Sequence, residues 1–380
     1  MNTSEYRTRQ EFIKRENPKG KDYIIGLDAG YSSVKVFFEK EIFCFPSYAK
    51  KLEDNMLSVA GDMDILYEDL ETNEVYMLGY TAQDMIDSID TNDTDGELFS
   101  RKRYNNKKFQ ILCNAAIGIA IMDKSDDREI VIQTGLPTSY VEGDTAPMKK
   151  AICKPAKFRL RIGTGNWHTI EYEIKNKNVY IMPQPAGSLY SVMMLNDGSY
   201  THNARQYLFS NILVMDVGFG TFDFYGIKSR AIACKESIDE LGMREVLKHT
   251  SKKILTELNE DIRVQALQKN LQKGTVTCVD EDKMKTEERP IGAYVEASSE
   301  EVFLEAMERS KNVTNTFRDY NYIIVTGGTG GAWIEKIKNY FSEMKSITIL
   351  QGNQNDKLSY IYSNVRGYYL YRYNLNVRNS

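Results

Sequence analysis

The chain has 380 residues, with 49 Lys+Arg against 53 Asp+Glu, a formal net charge of -4 and 42% hydrophobic residues. That is enough apolar matter for two cores, and it excludes the concentrated basic face that direct, extensive nucleic-acid binding requires. Cys44, Cys113, Cys153, Cys234 and Cys278 are scattered without a CxxC pair, and no apolar run approaches the roughly 20 residues of a membrane span. The expectation is a cytoplasmic protein with free thiols and no membrane partner.

Residues 1–21 are polar and mixed in charge, with Tyr6, Phe12 and Ile13 as internal apolar residues, and they read as a flexible N-terminal extension. Tyr23–Phe38, YIIGLDAGYSSVKVFF, then runs as an apolar strand (Ile24, Ile25, Leu27), Asp28, Gly30, the hydroxyls Ser32 and Ser33, and a second strand carrying the cation Lys35. Glu41–Ala49 reads as a strand with a Pro-ended turn, and the stretch to Tyr80 as a strand-rich insertion. The acidic run Asp84–Glu97 lacks the register of a calcium loop and reads as a solvated loop. Arg101, Lys102, Arg103, Lys107 and Lys108 follow, ahead of an apolar helix at Phe109–Met122, and read as a solvated face or a contact between copies in a filament rather than as a nucleic-acid patch.

The strand Glu129–Thr134 runs into Gly135-Leu136-Pro137, a helix is expected at Thr145–Ala151, and a hairpin turns around Gly163–Gly165. In the helix Met182–Leu195, Pro183 and Pro185 fix the entry, and Ala186, Gly187 and Ser188 are small enough to pass close beneath a ligand. Asn211–Lys228, NILVMDVGFGTFDFYGIK, is the centre of the chain. Its apolar strand Ile212–Met215 meets a turn in which Gly218 and Gly220 are expected to take positive φ and offer N–H groups to an anion. Thr221 adds a hydroxyl, and Asp216 stands where a carboxylate holds Mg²⁺ through water. The same strand, Asp, Gly, turn, strand order occurs at Tyr23–Phe38, so two related halves facing one nucleotide are expected.

Further along, Ile238–Thr256 has helical spacing, Ile262–Pro290 is highly charged and reads as irregular, and Glu300–Lys311 reads as an amphipathic helix. Tyr322–Trp333, YIIVTGGTGGAW, is a third strand-to-turn site, in which Gly327, Gly328, Thr329, Gly330 and Gly331 bare enough backbone to lie against a base or ribose. A final helix at Tyr360–Tyr373 contains Gly367, which allows close approach to the Met182 helix and a hinge between domains. No GxxxxGK[ST], no GxGxxG after a strand and no Ser/His/Asp arrangement offers a competing site.

The order of these segments resembles the actin/sugar-kinase/DnaK-type ATPase superfamily: Ile24–Phe38 and Ile212–Phe224 as its two phosphate motifs, Ile323–Trp333 as its adenosine motif, and Met182–Met194 and Ser363–Tyr371 as its connecting helices. Phe45-Pro46-Ser47, Gly135-Leu136-Pro137 and the opening MPQPAG at Met182–Gly187 are most similar to the bacterial ParM-like plasmid-segregation actins. The resemblance implies an α/β actin-like fold, two related domains of mixed β-sheets flanked by helices, with the nucleotide between them. The division is expected at 22–195 plus 357–380 for the first domain and 196–356 for the second.

It also implies ATP or GTP with Mg²⁺, the metal held by Asp28 and Asp216 mainly through water, and phosphates held around Gly30, Ser32, Ser33, Lys35, Gly218, Gly220 and Thr221. Gln184 matches the position where ParM-like proteins place a Glu and muscle actin a Gln, the side chain that orients the attacking water. Asp223 stands as an outer metal ligand or a water-orienting base, and Glu245 and Lys248 correspond to a helix that borders the base. The implied activity is a polymerisation-coupled ATPase or GTPase that assembles with itself and drives plasmid segregation through a DNA-bound adaptor of ParR type. Alternatives are a non-segregation actin homologue and a small-molecule kinase of the same superfamily. A DnaK-type chaperone is not expected, because it would continue beyond Ser380 into a peptide-binding domain.

Overall fold

Two stretches of unbroken apolar residues seed the main sheets of the protein, which was obtained as a computed structural model describing residues 2–53, 61–85 and 101–378, without the side chains of residues 101 and 102. Most of the acidic run, and the side chains of Arg101 and Lys102, therefore lie outside the described residues. After a 3-10 turn at Thr3–Tyr6, β1 (Glu11–Lys14), β2 (Tyr23–Ala29), β3 (Ser33–Phe38) and β4 (Glu41–Pro46) form the antiparallel part of the first sheet. Every residue of β2 is buried, as a strand covered on both faces must be. The insertion follows: β5 (Ala49–Lys51), β6 (Ile65–Asp69), β7 (Glu74–Leu78) and the short helix α1 (Gly79–Asp84), then α2 (Lys107–Ile121).

β8 (Ile130–Leu136), α3 (Val141–Ile152), the hairpin β9 (Ala156–Ile162) and β10 (His168–Tyr172), β11 (Val179–Pro183) and α4 (Gln184–Met193) complete the first half. The second opens with α5 (Ala204–Phe209), β12 (Ile212–Val217), β13 (Thr221–Lys228) and β14 (Ala231–Asp239). A helical group carrying one hairpin comes next: α6 (Met243–Leu258), α7 (Val264–Lys273), β15 (Thr275–Asp280), β16 (Lys285–Pro290) and α8 (Gly292–Thr314). β17 (Tyr322–Thr326), α9 (Gly328–Tyr340), β18 (Thr348–Gln351) and α10 (Ser363–Arg378) end the described chain.

Strand order exposes an internal repeat. The first sheet runs β1-β4-β3-β2-β8-β11 and the other main sheet β14-β13-β12-β17-β18. In each, an antiparallel three-strand meander is followed by two parallel strands reached through crossovers. Between the two sheets α4 and α10 cross, with α10 on β2 and β8 and α4 on β12 and β17. A Cβ on Gly367 would collide with the carbonyl oxygen of Gly187, and one on Gly26 would come within 2.7 Å of the Val365 oxygen, so these glycines permit the close approach. The insertion strands form a separate antiparallel sheet, β10-β9-β6-β7-β5.

Three expectations fail for physical reasons. The 1–21 segment is not a loose extension: Thr3 and Tyr6 are buried, and β1 pairs with β4 as the sheet's edge strand. Ile238 and Asp239 belong to β14, because the ladder partners Phe222 and Thr221 claim them, and α6 starts only at Met243. Ile262–Pro290 is ordered: α7 buries Ala266, Leu267 and Leu271, and β15 pairs with β16, so packing overrides a charged composition.

Candidate functional site

The tips of β2–β3 and β12–β13 face the same cleft. Each closes with the same bond, Gly30 N–H to Ser33 O at 3.0 Å and Gly218 N–H to Thr221 O at 3.0 Å. The positive φ expected at Gly218 and Gly220 does not occur. What these turns require is space: a Cβ on Gly30 would sit 2.8 Å from the Ser33 oxygen, and one on Gly220 would sit 3.1 Å from the ring of Tyr31 on the opposite tip. A third wall comes from the β17–α9 turn. Gly327 has φ +83, a Cβ there would lie 2.6 Å from Asp216 Oδ1, and Thr329 Oγ1 donates to the Gly218 carbonyl at 2.7 Å.

Three carboxylates lie buried beneath these turns. Asp28 is held on both oxygens, by Lys35 Nζ at 3.0 Å and by Gln184 Nε2 at 3.0 Å. Gln184, the first residue of α4, thus bonds to a carboxylate side chain, which leaves its carbonyl oxygen available to accept from water. Asp216 receives a bond from Asn364 Nδ2 at 2.6 Å. Burial, then the neighbouring charges of Asp223 and Asp28, push the Asp216 acid up from 3.8 to about 7. Asp223, the ladder partner of Asp216, accepts from Thr138 N at 3.1 Å, from Thr221 Oγ1 at 2.7 Å and from the Ser237 hydroxyl, and burial raises its pKa as well. The Thr221 hydroxyl is therefore committed to Asp223 here.

The cleft encloses about 1190 Å³ including its open mouth, and Asp28, Gly30, Ser32, Ser33, Lys35, Gln184, Asp216, Gly218, Gly220, Thr221, Gly327, Gly328 and Thr329 all line it. Four expected residues do not, and one of them, Gly331, lies against the Tyr360 ring. Gly330 packs inward against Val325 and Val217, while Glu245 and Lys248 pair with each other at 2.7 Å beside a second cavity that shares Tyr31, Gly220 and Thr221. One turn of α6 beyond Met243 carries them away from the main cleft, a placement set by where β14 ends.

Several cleft residues had weak sequence signals or none. Asn364, lining the cleft from the start of α10, bonds both Asp216 and, at 2.6 Å, Ser188 of α4; a polar residue opposite a run of small ones was its signal. Arg103, expected on a solvated face, is 6% exposed, donates to the Ala29 carbonyl and lies 4.5 Å from the centre of the Tyr31 ring. Its basic neighbours masked that role. Tyr31 had no signal.

The site suits a polyanion carrying a divalent cation. Lys35 pairs with one of the three buried carboxylates, so ionising all of them leaves negative charge uncompensated in a low-dielectric cleft. Among the described residues no group of three or more His, Cys, Asp or Glu side chains is placed to hold a metal ion by itself.

Residues 26–187 match the family described as Actin like proteins N terminal domain. Among solved structures, a non-polymerisable quadruple mutant of pCBH ParM is similar over 92% of this chain and 99% of its own, with 18% identity and TM-score 0.70. A 15-stranded ParM filament from Clostridium botulinum gives 92% and 98% coverage, 17% identity and TM-score 0.68. The archaeal actin homolog Ta0583 in complex with ADP gives 94% and 100%, 16% identity and TM-score 0.56. No curated protein matches the sequence. The repeated sheets, the crossed helices and these likenesses agree: the chain has the actin-like fold, and residues 26–187 are similar to the N-terminal domain of the actin-like proteins.

Proposed function

We propose that the protein binds ATP or GTP with Mg²⁺, hydrolyses it, and assembles into filaments that move plasmid DNA through a DNA-bound adaptor of ParR type in the cytoplasm. The observation that carries this reading is the pair of matching hairpin tips, each with a buried aspartate at the end of its first strand, facing one cleft. The reading divides the chain into 22–195 plus 357–380 and 196–356, with the phosphates between them.

In phosphoryl transfer the protein mainly positions groups and neutralises charge. The hairpin backbones and Lys35 hold the phosphates, while the Gln184 carbonyl oxygen orients the attacking water without taking its proton. Asp28 and Asp216 would hold the metal, mainly through water. Mg²⁺, when bound, supplies charge neutralisation on the phosphates. Similar structures support the wider reading: one is a ParM filament and another an actin homolog with ADP.

The test is 90° light scattering after addition of Mg-ATP or Mg-GTP, with phosphate release followed in the same sample. A nucleotide-dependent rise that decays as phosphate appears is expected. A flat signal at every nucleotide and protein concentration overturns the filament assignment. Gln184→Ala is expected to lower kcat by about 10- to 100-fold with KM little changed.

A further inference from the structure

The N-terminal segment spans the mouth of the cleft. On one side Thr3 Oγ1 donates to the Leu271 carbonyl of α7 at 2.7 Å, Thr8 N donates to Gln268 Oε1 at 3.2 Å, and Tyr6 is buried in the core built around α6, α7 and α8. On the other side Gln10 donates to the Met63 carbonyl at 2.5 Å and accepts from Tyr80 N at 2.7 Å, and β1 joins the first sheet. Residues 3–14 are thus fastened to both halves of the molecule. Glu5, Tyr6, Arg7, Thr8 and Arg9 line the same cleft as the aspartates.

Arg7 lies where the two lips meet. α1 packs on α7 across the mouth. The Arg7 guanidinium reaches Asp84 of α1 at 3.1 Å and Gln272 of α7 at 3.4 Å, and it stands 4.3 Å from the centre of the Tyr80 ring. Its side chain is 10% exposed, against 46% for Asp84. A planar fork with several fixed donors can hold two acceptors on different elements at once, which a lysine ammonium does less well.

We propose that this segment is a strap that latches the cleft, with Arg7 as the catch between its lips, and that its release sets the rate of nucleotide exchange; the second half of this rests on the nucleotide reading above. Helices α1 and α7 cannot separate without breaking the Arg7 contacts or pulling the strap from one anchor. Opening of such a mouth is the kind of step that limits ligand release in cleft enzymes. The strap also adds a wall to the site that no motif supplies.

The test pairs Arg7→Ala with the near-isosteric Asp84→Asn, which weakens the same catch from the opposite lip. Hydrogen exchange on the ligand-free proteins is expected to rise by about tenfold in α1 and α7 together, with β2 and β12 unchanged, since a charge-assisted bond is lost at a local opening. Release of N-methylanthraniloyl-ATP or -GTP with Mg²⁺, followed by stopped flow, is expected to quicken by about tenfold. Unchanged exchange in both helices for both variants overturns the latch. Unchanged release from variants that bind the analogue overturns its control of exchange. If the unmodified protein binds neither analogue, the nucleotide reading and the exchange role fall, while hydrogen exchange alone still decides the latch.

Discussion

The two hairpin tips share one sequence grammar and differ in electrostatics. In the β2–β3 tip, Asp28 accepts from the Lys35 ammonium and the Gln184 amide. In the β12–β13 tip, Asp216 has only a neutral donor, Asn364, and a second carboxylate, Asp223, directly across the ladder. The first aspartate is paired with a cation within the chain; the second, pushed up to about 7 by burial and its acidic neighbours, holds its proton instead. Duplication of a fold therefore does not duplicate its charge state.

The largest break in that comparison comes from Asp216→Asn, which is expected to reduce Mg²⁺-dependent hydrolysis by about a thousandfold. The same change should stabilise the ligand-free protein at pH 8 by about 2 kcal/mol, because it removes a buried acid that must ionise. The sign follows from the raised acid. Folded Asp216 keeps its proton to about pH 7, whereas the unfolded residue loses it near 3.8, so its contribution to stability falls as pH rises through that window. Urea unfolding of both proteins at pH 5 and pH 8 measures the difference, and equal pH slopes would remove the asymmetry.

Lys35→Met attacks the balanced tip instead. It leaves Asp28 buried beside a single amide, and a loss of about 3 kcal/mol is expected. Adding Asp28→Asn to that variant should recover most of the loss in a urea melt; no recovery would mean that the pair is not the source of the balance. The smallest effect belongs to Asn364→Leu, which removes the neutral donor from Asp216. A cost of about 1.5 kcal/mol is expected at pH 8 and less at pH 5, where Asp216 carries its proton. A cost independent of pH would show that the amide serves α10 packing through Ser188 rather than the carboxylate.

Much of the cleft was legible because its parts are local. A strand ending in Asp and then Gly needs only neighbouring residues to be recognised, and this placed Asp28, Gly30, Lys35, Asp216, Gly218, Gly220 and Thr221 on one cavity. Gln184 followed from the proline-fixed helix entry and the family resemblance. Other placements rested on contacts that are not local. Glu245 and Lys248 depended on where β14 hands over to α6, a boundary set by ladder bonds to Phe222 and Thr221. Arg103 was read as solvated because charge runs usually are, yet Tyr31, Tyr104 and Phe109 enclose its guanidinium.

The sequence by itself determined the repeated strand and turn units, the aspartate in each, and the small residues where α4 and α10 cross, because each reflects backbone geometry and side-chain size over a few adjacent positions. Only the tertiary structure decided the rest. It showed which aspartate has a cation, which charged helix residues reach the cleft, and that residues 3–14 fasten its two sides. Those properties depend on contacts between distant segments, such as Thr3 with Leu271, 268 positions apart, and burial fixes their strength once the chain has closed.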